Sequence, residues 1–460
     1  MRVPVRIYAD DELWRQIAGD RSLEQAVNVA TLDGVTGCVY AMPDVHEGYG
    51  FPVGGVAATD VEDGVISPGG VGYDINCGVR LLRSRLTRDE LRPRLKEVVA
   101  AFFHSIPTGV GAARRDLRLT KKQLYRVLER GAAWAVAEGY GRPEDLDHLE
   151  EGGCLDGADP GEVTERAFDR GAAQLGTLGS GNHFAEVQYV SEIYDEEAAR
   201  AFGLERDQVT VLIHSGSRGL GHQVCTDHLK GMVRAAASYG IELPDQQLAC
   251  APIRSPEGRR YLAAMAAAAN YAFANRQVMT HWARESLAAG LGMAPAQAGV
   301  EVVYDVCHNI AKFETFEENG TKRRLCVHRK GATRAYPPGH PATPEAYRAV
   351  GQPVLIPGDM GRYSYVLAGS EGAYRETFGS SCHGAGRRMS RHQAKKAARG
   401  RSIFQELEDQ GVVVMAAGRA TVAEEMPEAY KDVADVVEVV HRAGISRKVA
   451  QLRPMGVVKG

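Results

Sequence analysis

GVISPGGVGYDINCGVRLL, Gly64 to Leu82, decides how the chain is read. It has no helical period, and its ligand-type residues Asp74 and Cys77 sit in a Gly-rich turn. The block around it, residues 37 to 83, leans to β throughout and includes AMPDVHEGYGFPVGGVAATD. Three further segments repeat the arrangement, with polar groups where an apolar strand ends or a Gly-rich turn intervenes. LGSGNHFAEV offers Asn182, His183 and Glu186; LIHSGSRG offers His214 and Arg218; DVCHNIAKFE offers His308 and Asn309. Loops at strand ends are where a rigid scaffold presents functional groups. Three His, one Cys and one Asp suffice for one or two divalent metals, and a thiolate can bridge two. Softness of the donors alone leaves the metal open: thiolate and imidazole suit zinc, carboxylate and open positions suit manganese or magnesium.

The rest of the chain predicts an α+β fold, one compact domain over 1–460 with central β-sheets flanked by helices around a deep metal-containing cleft. Val3 to Tyr8 reads as a strand, and residues 11 to 18 as a short helix capped by Asp10 or Asp11. Helices are expected near 88 to 103, 120 to 138 and 161 to 173, one or two Ala-rich helices over 258 to 290, and others over 387 to 409 and 427 to 443. Strands are expected near 209 to 217 and 300 to 309, a hairpin over 312 to 328, and two short strands within 353 to 368. The seams near 105 to 119, 141 to 160 and 335 to 350 are too short to be linkers.

Composition narrows the class. Hydrophobic residues are 44% and charged residues 25%, which excludes a disordered or fibrous chain. Gly is in excess at 52 of 460, consistent with tight turns or loops that approach a ligand. Net charge is −3, from 55 Lys+Arg against 58 Asp+Glu, so a uniformly cationic nucleic-acid coat is excluded. Eight Cys without a C-x-x-C pair fit reduced thiols in a cytoplasmic setting. The charged N-terminal stretch lacks a signal-peptide core, and the Ala-rich run is too interrupted to span a bilayer, so no membrane role is expected.

Phosphate handling is signalled without a standard nucleotide motif; no P-loop is present. SSCHGAGRRMSRHQAKKAARGR (Ser380 to Arg401) puts His383 at the head of a Gly384-Ala385-Gly386 turn that is expected to enter a helix with open amides. Seven Lys/Arg, Arg387 among them, follow with no acid before Gln405. An imidazole there could attack phosphorus and carry a phosphoryl or nucleotidyl group, or could be another metal ligand or a cap. A second acid-free stretch, TKRRLCVHRKGATR (Thr321 to Arg334), contains Lys330. Arg170 and Arg218 are candidate phosphate clamps.

Taken together, GYDINCGVR, GTLGSGNHFAEV, HSGSRGLGHQ, CHNIAKFE, HRKGATRA, SSCHGAGR and the terminal GVVKG resemble the RtcB family of RNA-splicing ligases, in order from about residue 35 onward. The resemblance implies an RtcB-like fold and a GTP- and Mn²⁺-dependent RNA ligase acting in splicing or repair. It would join an RNA 2′,3′-cyclic phosphate or 3′-phosphate end to a 5′-hydroxyl end. It implies that Cys77 bridges two Mn²⁺, with Asp74 and His183 completing one and His214 and His308 the other. His383 would take GMP, which then passes to the RNA 3′-phosphate to give an RNA-3′-pp-G intermediate. Glu186, Tyr430 and Lys459 look like guanine contacts, with Asn309, Asp359 and the Gly384–Gly386 turn beside them in the nucleotide site, where Asn182 looks like a phosphate-binding member. Arg170, Arg218, Lys330 and Arg387 belong to the phosphate or RNA surface. Archease enters as a candidate activating partner. The sequence departs from the family's pattern at Asp359 and Arg362, near the expected nucleotide site. Two other readings stay open: a metal-dependent phosphatase or cyclic phosphodiesterase acting on RNA ends, and an RNA-binding repair scaffold with a structural metal.

Overall fold

Antiparallel pairing organises the central sheet of the computed structural model, which describes residues 1–318 and 320–460. Residue 319, in the turn of the anticipated hairpin 312 to 328, lies outside the described residues. Across the sheet run Pro353–Ile356, Ser364–Gly369, Ser446–Lys459, Phe184–Ile193, Gln208–Ser215, Gly78–Thr87 and Glu301–Cys307. Val413–Ala416 lies parallel to the second half of Ser446–Lys459. The run Val211 to Ile213 is apolar without a break because its strand is buried on both faces. Val211 and Ile213 pack into a layer with Phe102, Met279 and Leu287, while Leu212 packs into the opposite layer with Phe202. Helices thus cover the sheet, as the α+β reading expects.

A second sheet runs in the order Val5–Ile7, Val35–His46, Val53–Asp60, Thr321–Lys330 and Asn309–Glu318; only its first pair is parallel. The chain steps from Glu301–Cys307 on the edge of the central sheet, through His308, into Asn309–Glu318 on the edge of the second. That step places His308 at the seam between the two sheets.

The Ala-rich segment forms one helix, Pro256–Leu291, 36 residues and so about 54 Å long. Ser255 caps it by accepting from the Gly258 amide, Pro256 occupies its first turn, and Gly292 ends it in the left-handed region at φ +69°. Small side chains let neighbours pack closely around it, and nearly its whole length is buried. Several of its buried polar groups are bonded. Asn270 donates to the Leu128 carbonyl at 2.9 Å, and Arg284 donates to both oxygens of Asp145 at 2.6 and 2.8 Å. Among the described residues no helix is long and apolar enough to cross a membrane.

Several expected helices are broken. Residues 120 to 138 give Lys121–Arg130 and Ala132–Ala137, parted at Gly131 with φ +52°, and 88 to 103 is interrupted by a 3₁₀ turn at Arg92–Arg94. Residues 387 to 409 give Arg391–Ala397 and Ile403–Asp409, separated where Gly400 turns to φ +78°. The Gly384-Ala385-Gly386 turn therefore does not lead into a helix: the helix starts at Arg391, and the Ser390 hydroxyl already occupies the Gln393 amide. Residues 427 to 443 give a 3₁₀ turn, Pro427–Ala429, then Val433–Arg442 capped by Asp432. A helix not anticipated, Arg21–Val29, is capped by Asp20.

Beneath the sheet lies a fully buried ion cluster. Asp305 accepts from Arg80 Nε at 2.7 Å and from Arg276 Nε and Nη2 at 2.8 and 2.7 Å. Removing the carboxylate strands two guanidinium groups in a low-dielectric interior. Asp305→Ala is expected to lower unfolding stability by roughly 3–5 kcal/mol, measured by urea denaturation.

Candidate active site

Strand register gathers the site. Gly78 pairs with both Ser215 and Cys307, and His214 pairs with both Val79 and Phe184. Residues that precede Gly78 or Phe184, or that end Gln208–Ser215 or Glu301–Cys307, therefore lie at one end of the sheet. These are Asp74, Cys77, His183, His214 and His308, which the sequence separates by more than two hundred positions.

Their ligand atoms form two triads that share one sulfur: Asp74–Cys77–His183 and Cys77–His214–His308, each within 4.8 Å. Cys77 Sγ is 3.3 Å from Nε2 of His183 and 3.3 Å from Nε2 of His214. His183 Nε2 lies 2.8 Å from Asp74 Oδ2, and the Nε2 atoms of His214 and His308 are 3.4 Å apart. His183 Nδ1 faces the Leu178 carbonyl at 3.0 Å, which orients the ring with Nε2 toward Asp74 and Cys77, where a cation would lie. Burial, reinforced by neighbouring positive groups, holds His214 and His308 well below the usual imidazole range, in the neutral, ligating form. Burial alone would raise the Asp74 carboxyl, but its hydrogen bond and charge contact with His183 outweigh that and hold it ionised. A buried N, S and O donor set of this kind fits divalent cations. Three protein donors per triad leave coordination positions open, as catalytic sites do.

The loop that delivers Cys77 is held under local strain. Asn76 adopts φ +52°, unusual for a side-chain-bearing residue, and its amide groups are fixed by Ala269 O at 2.8 Å and Arg276 Nη2 at 3.0 Å. Arg276 also donates to the backbone carbonyls of Asn76 at 2.9 Å and Ser215 at 3.0 Å. It thereby ties the residue before Cys77 to the residue after His214.

His383 stands against this cluster, its ring 4.7 Å from that of His308. It follows the strand Ser380–Cys382, which pairs with Ala332–Arg334. Gly331, at φ +65°, brings its backbone close: a Cβ there would sit 3.0 Å from His383 Cε1. Asp44 Oδ2 accepts from His383 Nδ1 at 2.7 Å and from the His383 amide at 3.0 Å. Burial opposes the charge of Asp44, yet His383 and Lys431 keep its carboxyl below the usual range. Pinning Nδ1–H in this way leaves Nε2 with its lone pair.

These groups open into a cleft of about 580 Å³. Its walls include Asn182, Glu186, Arg218, Asn309, Lys330, Asp359, the Gly384–Gly386 turn, Arg387, Tyr430 and Lys459. Gly179 lets Arg218 reach in, since a Cβ at its φ of +96° would meet the guanidinium at 2.1 Å. Lys330 is on the wall, but its ammonium is committed to the Tyr49 and Phe51 carbonyls at 2.5 and 3.0 Å. Arg170 is not part of this lining and donates to Gln223 at 3.2 Å. Asp359 caps the amides of Gly361 and Arg362 at 3.0 and 3.1 Å and pairs with Arg362 at 2.6 Å. Arg387 reaches Glu425 and the Tyr430 hydroxyl at 3.1 and 3.2 Å.

Two residues here escaped the sequence reading. Asp44 lies inside a stretch quoted for its glycines, and only its partner, 339 positions away, reveals it. Glu425, fully buried between Arg387, Tyr430 and Lys459, carries no local signal at all.

A family model described as "tRNA-splicing ligase RtcB" matches residues 25–460. The chain belongs to the RtcB family. A tRNA-splicing ligase RtcB of Thermococcus kodakarensis is 58% identical over 460 residues, all of this chain and 95% of that protein. The Archaeoglobus fulgidus protein of the same name is 57% identical over the same share of each chain. An RNA-splicing ligase RtcB of Mycobacterium tuberculosis is 53% identical over 438 residues, 95% of this chain and all of the other. Within this RtcB chain the cleft's far wall has an unusual acid. Burial pushes Glu186 up to about 8, opposed by its Gln188 hydrogen bond. A carboxyl raised in the fold binds a proton that the unfolded chain releases from about pH 4.5, so it weakens the fold as pH climbs towards 8. Glu186→Gln is expected to remove this slope, gaining on the order of a few kcal/mol over the native protein at pH 8 and little at pH 4.5, read from denaturation midpoints across that range.

Proposed function

We propose that this chain is a GTP- and Mn²⁺-dependent RNA ligase that joins 2′,3′-cyclic phosphate or 3′-phosphate ends to 5′-hydroxyl ends. The observation that carries the reading is the Asp44-pinned imidazole of His383 packed against a two-triad donor cluster. The names of the relatives supply the substrate class, RNA.

His383 Nε2 would attack the α-phosphorus of GTP. A P–N bond forms, the P–O bond to pyrophosphate breaks, and pyrophosphate leaves with the electron pair. Asp44 stabilises the positive charge that develops on the ring. An RNA 3′-phosphate oxygen then takes the GMP and returns the pair to Nε2. Finally the 5′-hydroxyl oxygen attacks the RNA phosphorus, gives up its proton, and displaces GMP. A cyclic end enters after water opens it. Activation is required because a 5′-hydroxyl cannot expel oxide from a bare 3′-phosphate. Two Mn²⁺ held by the triads would neutralise phosphate oxygens during these steps. Asn182, Arg218 and Asn309 line the cleft as phosphate partners. Glu186, Tyr430 and Lys459 line the cleft as the proposed guanine contacts, with Lys459 a donor suited to O6. Eight unbridged cysteines suit the reducing cytoplasm proposed as its setting. Archease is the proposed activating partner.

A phosphatase or cyclic phosphodiesterase would need the donors but not a covalent histidine, and a scaffold would need neither GTP nor His383. The Asp44–His383 pair, set against the donor cluster with Nε2 unbonded to Asp44, supports the covalent role, and the adduct assay separates the readings.

Incubation with labelled GTP and Mn²⁺ is expected to give an acid-labile, alkali-stable adduct that disappears in His383→Ala while metal content is unchanged. Persistence of the adduct in that variant refutes the covalent role. Cys77→Ala is expected to lose bound metal and slow joining by roughly 100-fold or more, followed by elemental analysis and a ligation assay; full activity there excludes a shared thiolate.

A further inference from the structure

A cavity of about 840 Å³ is separate from the cleft. Seven consecutive residues, Ala311 to Glu317, line it. A strand seen face-on would contribute alternate residues; an unbroken run means that its edge is what faces the space. Asn309–Glu318 is the last strand of the second sheet, and no strand pairs with its outer edge among the described residues. Thr315 shows the direction of that edge, since its carbonyl accepts from the Tyr374 hydroxyl at 3.1 Å. Across the space runs the first third of the helix Pro256–Leu291. It presents Arg259, Leu262, Ala263 and Ala266, a stripe with the i, i+3, i+4, i+7 spacing of one helix face. Tyr336 and Tyr374 form the floor, their rings 5.9 Å apart.

The geometry points to this groove as a docking site for an extended peptide segment of a protein partner, added as a strand to the open edge of Asn309–Glu318. About 20 Å of edge offers main-chain donors and acceptors, and the apolar helix stripe and aromatic floor take alternate side chains. Groove charge selects the partner's composition. Lys312 and Arg334 are neutralised by Glu150 and Glu151, and Glu314 by Arg329. Outside those pairs the lining holds Arg259, Lys322 and Arg324 against Asp156 and Glu317, a surplus of one cation. The fitting segment therefore alternates apolar residues and carries at least one acid. Single-stranded RNA could stack on Phe313, which is 37% exposed beneath Arg324, but it has no amide ladder to satisfy a strand edge.

The test is a selection of phage-displayed random 12-residue peptides on the full chain, followed by anisotropy titration of the synthetic peptides enriched. Expected are peptides of that pattern that bind at least tenfold more weakly to Ala263→Trp, which fills the groove, and to Arg324→Glu. Bound peptide should slow amide exchange along Ala311 to Glu317, and both variants should keep the native melting profile and RNA joining. Failure to enrich any peptide blocked by either variant overturns the proposal. So does competition by a 12-nucleotide oligouridylate, which would make the groove an RNA surface. A dimer of the chain abolished by Ala263→Trp would make it a self-interface and overturn it as well. None of these readouts depends on how ligation proceeds.

Discussion

Arg276 is the constraint on which the site rests. From the middle of a helix surrounded by protein, its one guanidinium reaches the Asp305 carboxylate, the side chain of Asn76, and the backbone carbonyls that flank Cys77 and His214. Desolvating such ions costs several kcal/mol each, and only near-complete hydrogen bonding offsets it. The arrangement sets charge as well as position. With Arg80, two cations meet one carboxylate, so a net positive charge lies under the thiol. Burial and Asp74 push the Cys77 thiol well up, and Arg276 opposes them. A cation arriving above the sulfur completes a balance that the scaffold has already begun.

Much of this was legible in the sequence. Strand ends marked by Gly-rich turns or His-Asn pairs located Asp74, Cys77, His183, His214 and His308, because a chemistry-bearing residue that terminates an apolar run is visible in one dimension. The α+β class followed from alternating helical and β-leaning segments. Juxtaposition was not legible. Asp44 gains its meaning from His383 and Arg276 from Asp305, and no local pattern records such distant pairings. Helix continuity also misled where basic residues run on past a glycine, since composition over 387 to 409 favours a helix that Gly400 interrupts.

The two acid-free basic stretches show the same limit in another form. In sequence they look like a cationic channel. In space Arg329 finds Glu314, Arg334 finds Glu150 and Glu151, and Arg387 finds Glu425, all inside the protein. Charge uncompensated along the chain is compensated across it. Several of these cations therefore act as internal fasteners, and the polyanion-facing role falls to fewer groups at the cleft mouth.

Ser446–Lys459 occupies the interior of the central sheet, between Ser364–Gly369 and Phe184–Ile193, yet every other strand of that sheet precedes it in the chain. On a translating ribosome its neighbours emerge with facing edges and no strand to join them. Lys459, beside Phe184 in register, cannot reach the cleft until this insertion is complete. The nascent chain must therefore wait, with unsatisfied sheet edges exposed to other chains, until nearly all of these residues have been made. Assembly of the reaction centre is consequently a late event in biogenesis, and one that shielding of those edges would protect.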